Sequence, residues 1–281
     1  MHKTRKTILK NLLGIAVAGM GLVLLPGTAN AEEFADFTVN PDVLAAPSDG
    51  GTFDADRIVG GYAETFTVTG LNTFTTDAYY EVGQFFINSE GSASEIIPGI
   101  TREGVDYQLY AVFTSDGTFA PNADGGFDFI GTSGDLTVYA DFDLNTGLTL
   151  PGDASTGDVT RSNTGDDQVI ATATLVPIIS EGHTTSDPDS GDFSLVFSPF
   201  ELTLLGSQYF IGPVPFYMTL LLEGQFNSFV VEGTQSITGS ADASFTGVVP
   251  EPASLTLLGL GLIGSSLAAR RRRKGSDVTK A

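Results

Sequence analysis

His183 is the one histidine between Glu32 and Pro250, and that stretch contains no cysteine and no lysine. A tetrahedral zinc site within one chain needs more nitrogen or sulfur ligands than that. Thiolate nucleophiles and lysine Schiff bases are absent by composition. A Ser-His-Asp triad would have to use His183, which sits in the polar stretch Glu181-Gly182-His183-Thr184-Thr185 with no nucleophile-elbow pattern beside it. It reads as a surface histidine. No glycine-rich phosphate loop leads from a strand into a helix. What remains is carboxylate chemistry. The same stretch carries 32 acidic residues against Arg57, Arg102 and Arg161, a formal charge of −29. So many acids offer every pair a glycosidase needs, and therefore single out none. Oxygen ligands recur at alternate positions in Asp141-x-Asp143-x-Asn145-x-Gly147, as in calcium loops, but the glycine is one place late and no glutamate closes the loop. Asp187, Asp189 and Asp192 form a second cluster. Both clusters read first as strand ends and solvated turns. No cofactor is expected, and calcium is the one ligand the pattern admits.

The charge also bounds the partners. Phosphate backbones bind basic surfaces, so nucleic acid is excluded as a partner, and a peripheral grip on anionic lipid is disfavoured. An acidic surface favours solubility and attracts divalent cations, at a cost in self-repulsion. Without cysteine, the chain is held by its core alone.

The elements that must position these groups read as strands. Apolar and polar residues alternate in Leu136–Leu144, where Leu136, Val138, Ala140 and Phe142 share a face. Tyr107, Leu109, Ala111 and Phe113 line another strand, as do Phe193, Leu195 and Phe197. Ile237, Gly239, Ala241, Ala243 and Phe245 repeat the pattern, and Phe66 and Val68 do so within Glu64–Thr69. Turn residues punctuate these runs. Between the two ends of the chain no amphipathic helix stands out. The expected class is all-β: an antiparallel β-sandwich of two sheets, jelly-roll or Ig-like, with a closed barrel as the alternative. Asp153–Asp167 and Glu181–Asp192 read as loops, and the proline-interrupted Leu202–Leu222 reads as edge strands or a connection covering the core.

The two ends have a different character. Lys3, Arg5, Lys6 and Lys10 precede the uncharged run Leu12–Leu25, and Ala29-Asn30-Ala31 is a small-x-small cleavage site. Residues 1–31 therefore read as a secretory signal peptide cut after Ala31, with Ala29 and Ala31 as the recognised positions. At the other end, Pro250, Glu251 and Pro252 precede an uncharged run of 17 residues, Ala253–Ala269. As a helix this is ~26 Å long at ~1.5 Å per residue, barely enough for a hydrocarbon core of ~30 Å. Arg270, Arg271, Arg272 and Arg273, with Lys274, follow it and would stay cytoplasmic. Residues 32–247 are then an exported acidic domain, and 248–281 a sorting tail with a transient inner-membrane span.

This tripartite tail resembles the PEP-CTERM signal of Gram-negative bacteria, and the resemblance implies recognition and cleavage by the membrane enzyme exosortase. A further resemblance, to the flocculation-associated PEP-CTERM proteins of the PepA-like family, rests on the order of several short motifs. These are GGTFDADRIVGGYAETF (50–66), Gly83-Gln84-Phe85, Tyr107-Gln108-Leu109-Tyr110-Ala111, Phe193-Ser194-Leu195-Val196-Phe197, Pro215-Phe216-Tyr217-Met218 and Gly233–Asp242. It implies a non-enzymatic surface or matrix protein that promotes flocculation or biofilm formation within extracellular polysaccharide, and it carries no catalytic residue over to this chain. The alternative expectation is a secreted carbohydrate-binding module or glycan-acting enzyme. With no tryptophan present, its sugar platform would fall to Tyr62, Tyr79, Tyr80, Tyr107 and Tyr209.

Overall fold

A computed structural model describes residues 35–45, 51–89, 92–150, 159–186, 191–214, 216, 218–226 and 233–247. The signal-peptide and sorting-tail expectations therefore lie outside the described residues, and so do Asp187 and Asp189.

Eight antiparallel strands form the framework: β1 (Arg57–Val68), β2 (Thr73–Ser89), β3 (Gln108–Pro121), β4 (Phe127–Asp141), β5 (Glu181–Thr184), β6 (Gly191–Phe197), β7 (Met218–Phe226) and β8 (Thr234–Gly247). Each pairs with the next in sequence, and β8 pairs back onto β1. The ring is completed by β4 and β5, with Glu181 opposite Ile130, Gly182 opposite Phe129 and His183 opposite Asp128. The result is a closed up-and-down barrel. The expected two-sheet sandwich is thus incorrect. Period-two alternation is the same for a sandwich and a barrel; what separates them is whether the last ladder closes. That ladder depends on β5, which lies in Glu181–Asp192, the segment read from sequence as a loop. Closure leaves no long edge whose N–H and C=O groups would otherwise stand unpaired.

The alternating faces themselves run as expected. Leu136 and Ala140 on β4, Leu109, Ala111 and Phe113 on β3, Phe197 on β6, and Ile237, Ala241, Ala243 and Phe245 on β8 are all buried. Two bulges re-aim the pattern. Gly83 is the extra residue where Val59 faces Gln84 and Gly60 faces Val82, so the inward face of β2 changes from Val82 to Phe85. Thr132 is the extra residue where Asp116 faces Ser133 and Gly117 faces Gly131, so β4 presents Phe129 on one side of it and Leu136 on the other. An eight-stranded barrel is just wide enough for side chains to fill. Here rings do so: Phe66 stacks on Phe74 at 4.9 Å, and Phe129 meets both edge-on at 5.8 Å. Gly224 leaves room for Phe193, because a Cβ there would stand 2.5 Å from the Phe193 ring and 2.6 Å from the Ser240 carbonyl.

A small antiparallel sheet of Phe210–Gly212, Phe37–Val39 and Phe53–Ala55 packs at one end. Its Phe37 reaches Phe245 at 5.0 Å and Phe85 at 6.5 Å, which joins this sheet to the barrel core. Gln168–Thr174 pairs with the second half of β4, and Leu202, at the start of the proline-interrupted stretch, pairs with Ala171. The stretch continues in a short helix, Leu204–Tyr209, capped by the Thr203 hydroxyl accepting from the Gly206 N–H at 3.1 Å. A second short α-helix is Pro98–Thr101. No helix among the described residues is long and apolar enough to cross a membrane.

Candidate functional site

The outer face of the barrel is polar. Asp77, Glu81, Thr114, Asp116, Asp135, Glu223 and Gln225 point outward from its strands, where a barrel embedded in lipid would carry an apolar band. Two acidic constellations stand on this face.

The first is the corner that follows β4. Asp141 is buried, and one carboxylate oxygen from each of Asp141, Asp166 and Asp167 lies within 4.8 Å of the others. The calcium-like spacing predicted Asp141 with Asp143, Asn145 and Gly147. The structure instead brings Asp141 together with two acids from the loop before Gln168–Thr174, a pairing of distant segments that no local motif encodes. The Asp141 carboxylate accepts from the N–H groups of Asp143 (3.1 Å) and Thr146 (2.8 Å), and Asp166 accepts from Phe142 (3.0 Å) and Asp143 (2.7 Å). Asp167 accepts from the Thr146 hydroxyl at 2.8 Å and from the Tyr110 hydroxyl. Tyr110 stacks on Tyr139 at 5.1 Å, and Arg161 covers Tyr139 at 4.3 Å while donating to the Tyr110 hydroxyl at 3.1 Å. Burial, followed by the Asp167 hydrogen bond, holds the Tyr110 phenol well above its ordinary range. These donors account for the carboxylates as structural acceptors that fix the corner.

The second is a groove of about 880 Å³ crossing the outer face from β4 to β8. Asp128, Glu181, Asp192, Glu223 and Asp242 line it with His183. His183 Nδ1 stands 2.8 Å from the Asp128 carboxylate, and its Nε2 is 3.7 Å from Asp124. The Asp128 hydrogen bond raises the His183 pKa and lowers that of Asp128. His183 is therefore a half-exposed partner of a surface acid, on a strand and not in the loop that the sequence suggested. Arg57 reaches Asp242 at 3.4 Å, leaving the groove strongly negative.

The tyrosine platform does not form. Tyr62, Tyr80, Tyr107 and Tyr209 are buried, and only Tyr79 of the five keeps partial exposure. Tyr107 donates to the Thr101 carbonyl at 2.7 Å and bonds to the Tyr209 hydroxyl at 2.9 Å, so this pair is a core anchor.

The PEP-CTERM protein-sorting motif matches residues 248–273. Pro250, Glu251, Pro252, Arg270, Arg271, Arg272 and Arg273 fall inside the match, while Ala29 and Ala31 lie far from it. No curated protein matches the chain. One solved structure, the crystal structure of Ail, the attachment invasion locus protein of Yersinia pestis, is similar at 11% identity over 68% of this chain and 97% of that one, with a TM-score of 0.11. That likeness is too weak to bear on fold or function. The motif marks the chain as an exosortase-sorted, exported protein that transits a membrane.

Proposed function

We propose that this is a non-enzymatic surface or extracellular-matrix protein that promotes flocculation or biofilm formation after exosortase processing. The observation that carries the reading is the sorting motif at 248–273 joined to a barrel whose outer face is acidic. Its partners would be divalent cations and, through them, anionic polysaccharide or neighbouring cells. Aligned carboxylates such as Asp128, Asp192, Glu223 and Asp242 attract such ions without a dedicated cage. Against the carbohydrate-platform alternative stands the burial of Tyr62, Tyr80, Tyr107 and Tyr209, which leaves Tyr79 as the partly exposed member of the five.

The test has two steps. Intact mass of the protein recovered from cell-free matrix, in cells with and without exosortase, should show loss of residues 1–31 and of the tail after about Pro250 only when the enzyme is present. Replacing Glu251 should leave the full-length C-terminus at the inner membrane. Aggregation of cells carrying the processed protein should then fall in excess chelator. Normal surface delivery of the Glu251 variant would sink the processing step, and undiminished aggregation in chelator would sink cation bridging.

A further inference from the structure

Alternation places Glu64 on the inward face of β1, between Tyr62 and Phe66. Among the described residues it is the one charged side chain that the eight strands direct into the barrel. It lines an interior cavity of about 60 Å³. The rest of the wall is largely aromatic, with Phe66, Phe74, Phe113, Phe129 and Phe193. Apart from the exposed Glu181, the other polar side chains of the wall are already engaged. Thr76 and Ser115 bond to each other at 2.8 Å, and Ser180 donates to the Val176 carbonyl at 2.9 Å while accepting from the Val196 N–H at 3.0 Å. The Glu64 carboxylate has no hydrogen-bond or ion-pair partner among the described residues. Beside it in sequence, the buried Tyr62 hydroxyl is also without a partner.

Glu64 is half-buried, and a carboxylate largely withdrawn from water without a partner is costly; charges inside folded proteins are normally paired. A second interior cavity, of about 40 Å³ between Ile58, Val82 and Leu136, is lined without any charged group. A carboxylate is therefore no requirement for filling this barrel. Small-ligand sites are concave and mostly apolar, with a few polar groups that fix orientation. Ring faces attract organic cations, most strongly where water is excluded. The volume admits a group of a few heavy atoms.

We propose that the barrel interior binds a small organic ammonium ion, its charge on the Glu64 carboxylate and its carbon body against the Phe66, Phe74, Phe113 and Phe129 rings. Glu181, exposed on β5, borders the same cavity and places its mouth at the ladder that closes the barrel. The binding is independent of sorting and of any role in aggregation.

Titration of the purified protein at pH 8 with isobutylammonium, followed by calorimetry and by shifts of the Phe ring signals, tests this. Isobutanol and isobutyrate serve as neutral and anionic isosteres. The amine should bind tighter than isobutanol by roughly tenfold or more, and isobutyrate should not bind. Glu64→Gln should erase the preference for the amine over the alcohol. Glu64→Asp, which keeps the charge but withdraws it by one methylene, should weaken it only in part. Amine binding no tighter than isobutanol in the wild-type protein, or equal amine binding in Glu64→Gln, would overturn the proposal. The wild-type comparison decides the matter even if a variant folds poorly.

Discussion

Glu64→Gln should make the protein more stable at pH 8 and nearly indifferent to the exchange at pH 4. Desolvation in the aromatic cavity raises the Glu64 pKa from an ordinary 4.5 to about 7. The folded state therefore keeps its proton over a pH range in which the unfolded chain has lost it. Stability from this group is fully present below 4.5, falls as pH rises, and is lost once pH passes about 7. At about 1.4 kcal/mol for each pH unit between the two values, the loss is about 3 kcal/mol. Tyr62, the titratable neighbour on the same strand, does not interfere, since burial and then the Glu64 charge hold its phenol above its ordinary range. The other acids titrate in both proteins and cancel in the difference. Urea unfolding of wild type and Glu64→Gln at half-unit steps from pH 4 to pH 8 measures it. The gap should open between pH 4.5 and 7, with the variant the more stable. A gap that is constant with pH, or one that opens in favour of the wild type, would refute the assignment of Glu64 to a desolvated interior position.

Other perturbations probe the remaining parts of the structure. Gly224→Ala should destabilise the barrel by about 1–3 kcal/mol in denaturant unfolding, because the new methyl group meets both the Phe193 ring and the Ser240 carbonyl, and the carbonyl belongs to a ladder that cannot yield. Tyr209→Phe removes the donor to the Tyr107 oxygen, since Tyr107 spends its own proton on Thr101; a loss of about 1 kcal/mol is expected in the same assay. Asp128→Asn should lower the His183 titration midpoint, read from its ring proton shifts by NMR. The wild-type pair favours the folded state at pH values below the ordinary histidine range and ceases to do so as pH rises through the raised folded value, so the variant should show less of this low-pH benefit.

Much of the molecule was legible along the chain because its information is local. Alternation at Leu109–Phe113, Leu136–Ala140 and Ile237–Phe245 marks strands and their buried faces, since a period of two is a property of one strand taken alone. Sorting is legible for a similar reason: a short motif, an apolar run and a charged end act as a linear signal, and the match at 248–273 agrees with this C-terminal reading. Composition alone shows the missing cysteine, the single exported histidine and the excess of acids.

Only the tertiary structure decided the rest. Whether a row of alternating strands ends as a sandwich or a barrel depends on one ladder, and here the four residues of β5, polar enough to resemble a loop, provide it by pairing with Phe129 and its neighbours. The Asp141 corner depends on two segments about 25 residues apart, so the local calcium-like spacing named the right first residue and the wrong companions. Tyr62 and Tyr80, which a linear reading offers to a sugar, are core residues because closure of the ring turned their faces inward, and Tyr107 and Tyr209 are buried against each other outside its strands. Glu64, indistinguishable in sequence from the other 31 acids of the exported stretch, becomes singular because closure surrounds it with phenylalanine rings. Local pattern tells a side chain which way to alternate, but what it then faces is set by strands brought in from elsewhere along the chain.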